Sequence, residues 1–185
     1  MDCTSKEHFF SKLPLLKHAQ RAVFIMRGLP GSGKSTMVKE IHDFYWNGVG
    51  QAVVASADDY FMLDGRYQYD PKKIGQAHKW CMAKFLSNFK EAPGPYFVDN
   101  TNTSIEELRK YVVLAKAYSS FVYVITLDID IETSVKRNTH NVPKSVIESM
   151  FSRIVDADVN DKLVHFLETQ ASRIQHVRHL RLVTL

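Results

Sequence analysis

The segment Gly28-Leu29-Pro30-Gly31-Ser32-Gly33-Lys34-Ser35 constrains this chain more than any other part of it. Its spacing is G-x-x-x-x-G-K-[ST]. The apolar run Ala22 to Met26 precedes it, and Met37, Val38, Ile41, Phe44 and Tyr45 follow at helical spacing until Asn47 and Gly48. The order is therefore strand, glycine loop, helix. In that order the glycines turn backbone N–H groups inward around a phosphate chain, and the helix N-terminus adds partial positive charge. Lys34 then reaches the β/γ-phosphates and Ser35 offers its hydroxyl to Mg²⁺. The implied ligands are ATP or GTP with magnesium, gripped by Gly28, Leu29, Pro30, Gly31, Ser32, Gly33, Lys34 and Ser35. Thr36 either adds a hydroxyl to the phosphates or only serves the first helical turn.

Further strands are expected over Ala52 to Ser56, Tyr96 to Val98, Phe121 to Leu127 and Val177 to Val183. One intervening helix carries Ile74, Ala77, Cys81, Phe85 and Phe89 on a single face. Another opens at the capping box Ser104/Glu107 and turns Ile105, Leu108, Val112 and Ala115 inward. Helices near Glu132 to Asn138 (capped by Asp130), from about Pro143, and over Lys162 to Glu168 complete the pattern. This alternation predicts an α/β fold of three layers: a mainly parallel central sheet, helices on both faces, and ligands at the carboxyl ends of the strands.

A length of 185 residues suits one domain, expected over 21–185. Residues 1–20, with Phe9, Phe10, Leu13, Leu15 and Leu16, read as a short arm on its surface. The apolar stretches fall well short of the roughly 18 residues a membrane helix needs, so no membrane partner is expected. Cys3 and Cys81 form neither a disulfide framework nor a zinc-ligand spacing, which points to a reducing, intracellular location, cytoplasmic or nuclear. A net charge of +4, scattered along the chain, permits a polyanionic partner without demanding one. Nothing in the sequence sets the oligomeric state.

Phosphoryl transfer needs a group near the γ-phosphate to take the acceptor's proton. Asp58 and Asp59 follow the second strand closely. Asp58 is the preferred base, with Asp59 bracing the loop or a metal-bound water; the alternative for each is a turn or cap. Asp99, after Tyr96-Phe97-Val98, stands where a carboxylate orients magnesium or Ser35, or else simply ends a strand. Asn100, Thr101 and Asn102 either meet phosphate and substrate or shape the turn. Trp80, Tyr60, Phe61, Tyr67 and Tyr69 either stack on a base or anchor the core. Arg109 and Arg153 read as surface residues of their helices, the alternative being substrate or lid contacts. Asp128-Ile129-Asp130-Ile131-Glu132-Thr133 has its threonine one place late for an aspartyl-phosphate phosphatase.

Taken together, Gly28 to Ser35, Ser56-Ala57-Asp58-Asp59-Tyr60, Val98-Asp99-Asn100-Thr101-Asn102, and Lys136-Arg137-Asn138 before Val142-Pro143 resemble the P-loop polynucleotide kinase family in order and spacing, over about residues 21 to 155. The resemblance is strongest to the NEDD-four-binding-protein-like branch, which has counterparts of Asp59-Tyr60-Phe61 through Gly65, Tyr67 and Tyr69-Asp70-Pro71, and of Ala77-His78-Lys79-Trp80. It implies transfer of the ATP γ-phosphate to a 5′-hydroxyl at a single-stranded DNA or RNA end. In that reading Asp58 is the base, and Arg137, on a lid around 130–145, touches the phosphates during transfer. The chain departs from the viral polynucleotide kinases, whose lid has a further arginine where this one reads Asn138-Thr139-His140-Asn141. Two other functions fit the same motifs: a P-loop kinase of a small metabolite or sugar nucleotide, and a nucleotide-binding module with little catalytic activity.

Overall fold

A computed structural model describes residues 9–11, 21–46, 53–91, 94–118, 120–159, 162–170 and 174–180. In chain order the elements are β1 (Ala22–Gly28), α1 (Lys34–Trp46), β2 (Val53–Ala55), β3 (Met62–Leu63), β4 (Arg66–Tyr67), α2 (Ile74–Glu91), β5 (Pro95–Asp99), α3 (Ile105–Ala117), β6 (Phe121–Leu127), α4 (Ile131–Arg137), α5 (Lys144–Val159), α6 (Lys162–Gln170) and β7 (Ile174–Leu180). Five strands form one parallel sheet in the order β2-β5-β1-β6-β7, and β3 pairs with β4 in a separate hairpin.

Every residue of β1 is buried, as a central parallel strand covered on both faces requires. Its alternation divides two cores. Phe24 and Met26 join Phe97, Tyr123 and Ile125 beneath Met37, Val38 and Ile41 of α1. Val23 and Ile25 join Val98, Val122 and Val124 beneath Cys81, Phe85, Leu108, Tyr111 and Phe166 of α2, α3 and α6. Phe24 lies stacked between Phe97 at 5.1 Å and Tyr123 at 4.9 Å, locking the three central strands side by side. The chain thus leaves β1 toward one face and β5 toward the other. Their carboxyl ends diverge into the crevice where α/β sheets bind ligands.

Several expectations change in detail. Ile74 is 39% exposed instead of facing the core, because α2 begins there and its first turn projects past the sheet. Of the arm expected over residues 1–20, Phe9 is buried with the α1-side core, while Phe10 packs on Phe44 at 4.9 Å. Leu13, Leu15 and Leu16 lie outside the described residues, as do Ala52, Asn47 and Gly48. The last strand begins three residues earlier than expected, and 181–185 lie outside the description. The β3–β4 hairpin was not expected. Asp64 (φ 49°) and Gly65 (φ 74°) form its two-residue turn, the left-handed pair that Asp-Gly favours. Among the described residues no helix is long and apolar enough to cross a membrane.

Candidate nucleotide-binding and acceptor site

The loop between β1 and α1 takes a shape only glycine allows at two points. A Cβ on Gly28 (φ 147°) would stand 2.6 Å from the Leu127 carbonyl oxygen, and one on Gly31 (φ 72°) would stand 2.8 Å from Arg137 Cβ. The Gly28 N–H donates to the Thr101 carbonyl at 3.0 Å, tying the loop to the end of β5. Leu29 is buried against Ile147 and Ile154 of α5, so an apolar plug fixes the loop's outer arm. The Ser32 hydroxyl is buried without a hydrogen-bond partner, a group that a phosphate oxygen would satisfy.

Lys34 opens α1, and its ammonium donates to the carbonyls of Leu29 at 2.8 Å and Gly28 at 3.2 Å. Burial holds it below its ordinary pKa, against the opposing pull of Asp99 and Asp58. Asp99 ends β5 opposite Met26 of β1. Burial pushes its carboxyl above the usual range, while a hydrogen bond from the Ser35 hydroxyl and the charge of Lys34 pull the other way. Ser35 and Asp99 thus present two hard oxygens at the root of the loop. Among the described residues no group of three or more His, Cys, Asp or Glu is placed to hold a metal. This donor set fits Mg²⁺, which keeps waters and takes phosphate oxygens, better than it fits a metal needing an all-protein cage. Thr36 is exposed at the start of α1.

The two acids after β2 part company. Asp59 takes the Lys84 ammonium at 2.8 Å and braces the loop against α2. Asp58 opens a 3₁₀ turn over Asp58–Phe61 and stays half exposed. Its Oδ1 accepts from the Tyr67 phenol at 3.0 Å, and its Oδ2 lies 3.8 Å from His140 Nε2. Its charge reaches Lys34, Asp99 and His78. Asn100 accepts from the Ala57 N–H at 2.8 Å, which fixes the residue before Asp58. Asn102 (φ 44°) donates to the Met26 carbonyl at 2.7 Å. Of the two readings left open for these asparagines, the structure shows them shaping turns.

Asp130 caps α4 through the Thr133 N–H at 2.7 Å, as its sequence position suggests. α4 lies on the phosphate loop: the buried Ser134 hydroxyl donates to the Pro30 carbonyl at 2.8 Å, and the Arg137 backbone abuts Gly31. Beyond it, Asn138 donates to the Val142 carbonyl at 2.8 Å and accepts from the His140 N–H at 3.3 Å, closing a tight loop. That loop sets the His140 ring 4.4 Å from Tyr67. Arg153 is committed to Thr103 and Ser149, and Arg109 covers the Phe166 ring at 4.9 Å. Phe61 is a core anchor, whereas Tyr69 and Trp80 keep exposed faces. Sequence reasoning passed over Ser134 and Arg27, neither of which sits in a motif. It quoted His140 only as a departure from a lid pattern.

The arrangement sets one ammonium and one unpartnered hydroxyl in a glycine loop at a helix N-terminus, with a half-exposed carboxylate after a neighbouring strand. It is equipped to hold a polyphosphate and to take a proton beside it. A family model described as "AAA domain" matches residues 23–157. Human NEDD4-binding protein 2 is 34% identical over 130 residues, covering 68% of this chain and 7% of that protein. Human YLP motif-containing protein 1 is 29% identical over 152 residues, covering 71% of this chain and again 7% of that protein. The chain therefore spans only a small fraction of these curated relatives. Among solved structures, the Pnkp1/Rnl/Hen1 RNA repair complex aligns with a TM-score of 0.59 at 22% identity, over 78% of this chain and 47% of that one. The AvrRxo1-ORF1:-ORF2 complex with ATP gives 0.59 at 16% identity, over 80% and 52%. These likenesses share the P-loop kinase fold, and the chain belongs to the AAA-domain family whose model spans its phosphate loop, Asp58, Asp99 and α4.

Proposed function

We propose that this chain is an ATP-dependent kinase that transfers the γ-phosphate to the 5′-hydroxyl of a polynucleotide. The observation that carries the reading is the separation of the two acids. Asp59 is spent on Lys84, while Asp58 stays half exposed beside the phosphate loop, its charge felt by Lys34.

In this reading the backbone N–H groups of Gly31 and Gly33, the Ser32 hydroxyl and the Lys34 ammonium hold the β- and γ-phosphates, with GTP an alternative donor. Ser35 and Asp99 would hold Mg²⁺, which would supply neutralisation of phosphate charge when bound. Asp58 takes the proton of the acceptor hydroxyl as its oxygen bonds the γ-phosphorus. The bond from that phosphorus to the β-phosphate oxygen breaks, leaving the nucleoside diphosphate. Arg137, whose backbone rests on Gly31, stabilises charge on the transferring group from the lid. A single-stranded DNA or RNA acceptor is supported by the motif resemblance, by the net charge of +4, and by the exposed rings of Tyr69 and Trp80, on which bases can stack. The fold shared with the Pnkp1/Rnl/Hen1 RNA repair complex agrees with it.

The test is incubation with γ-labelled ATP and 5′-hydroxyl DNA or RNA oligonucleotides, comparing the native chain with Asp58→Asn. Label on the oligonucleotide only when Asp58 is intact supports the proposal. ATP binding without transfer would replace it with a nucleotide-binding module, and label on small molecules of an extract with a metabolite kinase.

A further inference from the structure

The β3–β4 hairpin has no place in the main sheet, and Met62 through Arg66 are all exposed. Only Tyr67 turns inward from it. The hairpin neck is closed by the Gln68 N–H donating to the Phe61 carbonyl at 2.8 Å, and Phe61 itself is buried in the core. The Tyr67 ring is held on three sides, by Phe61 at 6.2 Å, Tyr69 at 6.4 Å and His140 at 4.4 Å. Its phenol donates to Asp58 Oδ1 at 3.0 Å. Burial, joined by the charge of Asp58, pushes the phenol pKa well up, so the group remains a donor across the working pH range.

An aspartate carboxylate turns on a broad, two-fold torsion, so a half-exposed one presents either oxygen in many orientations. Here that freedom is removed. Oδ1 is committed to Tyr67, while Oδ2 faces His140 Nε2 at 3.8 Å, beyond hydrogen-bond length and open to another donor.

We infer that Tyr67 is a positioning residue for phosphoryl transfer: it holds the Asp58 carboxylate so that Oδ2 meets the acceptor hydroxyl. The inference rests on the reading of Asp58 as the base. It gives the hairpin a purpose, that of a rigid arm carrying one phenol to one oxygen. One chemical consequence follows. Loss of the phenol leaves the phosphate loop untouched, so ATP affinity is spared while turnover falls.

The experiment compares the native chain with Tyr67→Phe, which keeps the ring and its packing, and with Met62→Gln, which alters the opposite residue of the hairpin. Tyr67→Phe is expected to lower kcat for a 5′-hydroxyl oligonucleotide roughly tenfold and to leave KM for ATP unchanged. Met62→Gln is expected to match the native chain. A native kcat in Tyr67→Phe would overturn the inference while leaving the kinase reading standing. If instead the native chain transfers no label, the kinase reading fails, and the carboxyl-¹³C chemical shift of Asp58 decides about Tyr67. A resonance displaced in Tyr67→Phe but not in Met62→Gln upholds the positioning contact, and an unmoved one removes it.

Discussion

The hydroxyl of Ser134 donates to the carbonyl of Pro30 at 2.8 Å, joining α4 to the phosphate loop across 104 residues of sequence. Ser134 is fully buried, so water cannot replace the bond if it is lost. Ser134→Ala should leave the Pro30 carbonyl unpaired and cost about 1–3 kcal/mol. Urea unfolding reads the cost, and KM for ATP should rise because the loop loses its ceiling. Unchanged values for both would show that α4 and the loop are not coupled through this bond.

Gly31→Ala should damage the site more than its size suggests. The residue sits at φ 72°, and the added Cβ would meet Arg137 Cβ at 2.8 Å and the Arg137 carbonyl carbon at 3.0 Å. The second of these is backbone and gives only if α4 shifts. Weaker ATP binding together with slower turnover is expected from isothermal titration and initial rates; loss confined to turnover would place the strain in α4 alone.

What could be read from the sequence was local chemistry with fixed spacing. Gly28 to Ser35, the Ser104/Glu107 capping box and the Asp130 cap depend on neighbours within a few residues, and each stands as expected. The strand alternation placed Asp99 at a sheet edge for the same reason. What stayed hidden depends on distant partners. Arg27 follows the apolar run Ala22 to Met26 and is buried against Asp158, 131 residues away. Ser134 carried no sign of Pro30. The Asp64-Gly65 turn was a local signal left unread, because the strands it joins are two residues each.

Asp99 sets a pH dependence whose sign follows from burial. Its carboxyl titrates above the ordinary value of 3.8 in the folded chain, so the folded state keeps a proton that the unfolded state releases. The stabilisation is fully present below about pH 3.8 and is lost as pH rises through the folded value. At neutral pH the ionised group is a net burden. Asp99→Asn should therefore raise stability near neutral pH, with the difference from the native chain shrinking on acidification, while phosphoryl transfer is lost. Urea midpoints across an acid-to-neutral series check it, and an asparagine variant less stable at neutral pH would refute the assignment.

Arg27 supplies the last prediction, because it links the core to the site. Its guanidinium, 1% exposed, donates to both Asp158 carboxylate oxygens at 3.0 and 3.1 Å and to the Ile154 carbonyl at 3.2 Å. Asp158 is 20% exposed and keeps some access to water. The two partners should thus be unequal when deleted. Asp158→Ala strands a cation in the core and should cost about 3–5 kcal/mol, whereas Arg27→Met replaces the cation with an apolar chain of similar length and should cost far less. The ion pair also pins α5, whose Ile147 and Ile154 cover Leu29 of the phosphate loop. Asp158→Ala should accordingly weaken ATP binding even though it touches no ligand group. Equal destabilisation by the two substitutions would mean that the pair's attraction, and not the stranded charge, dominates.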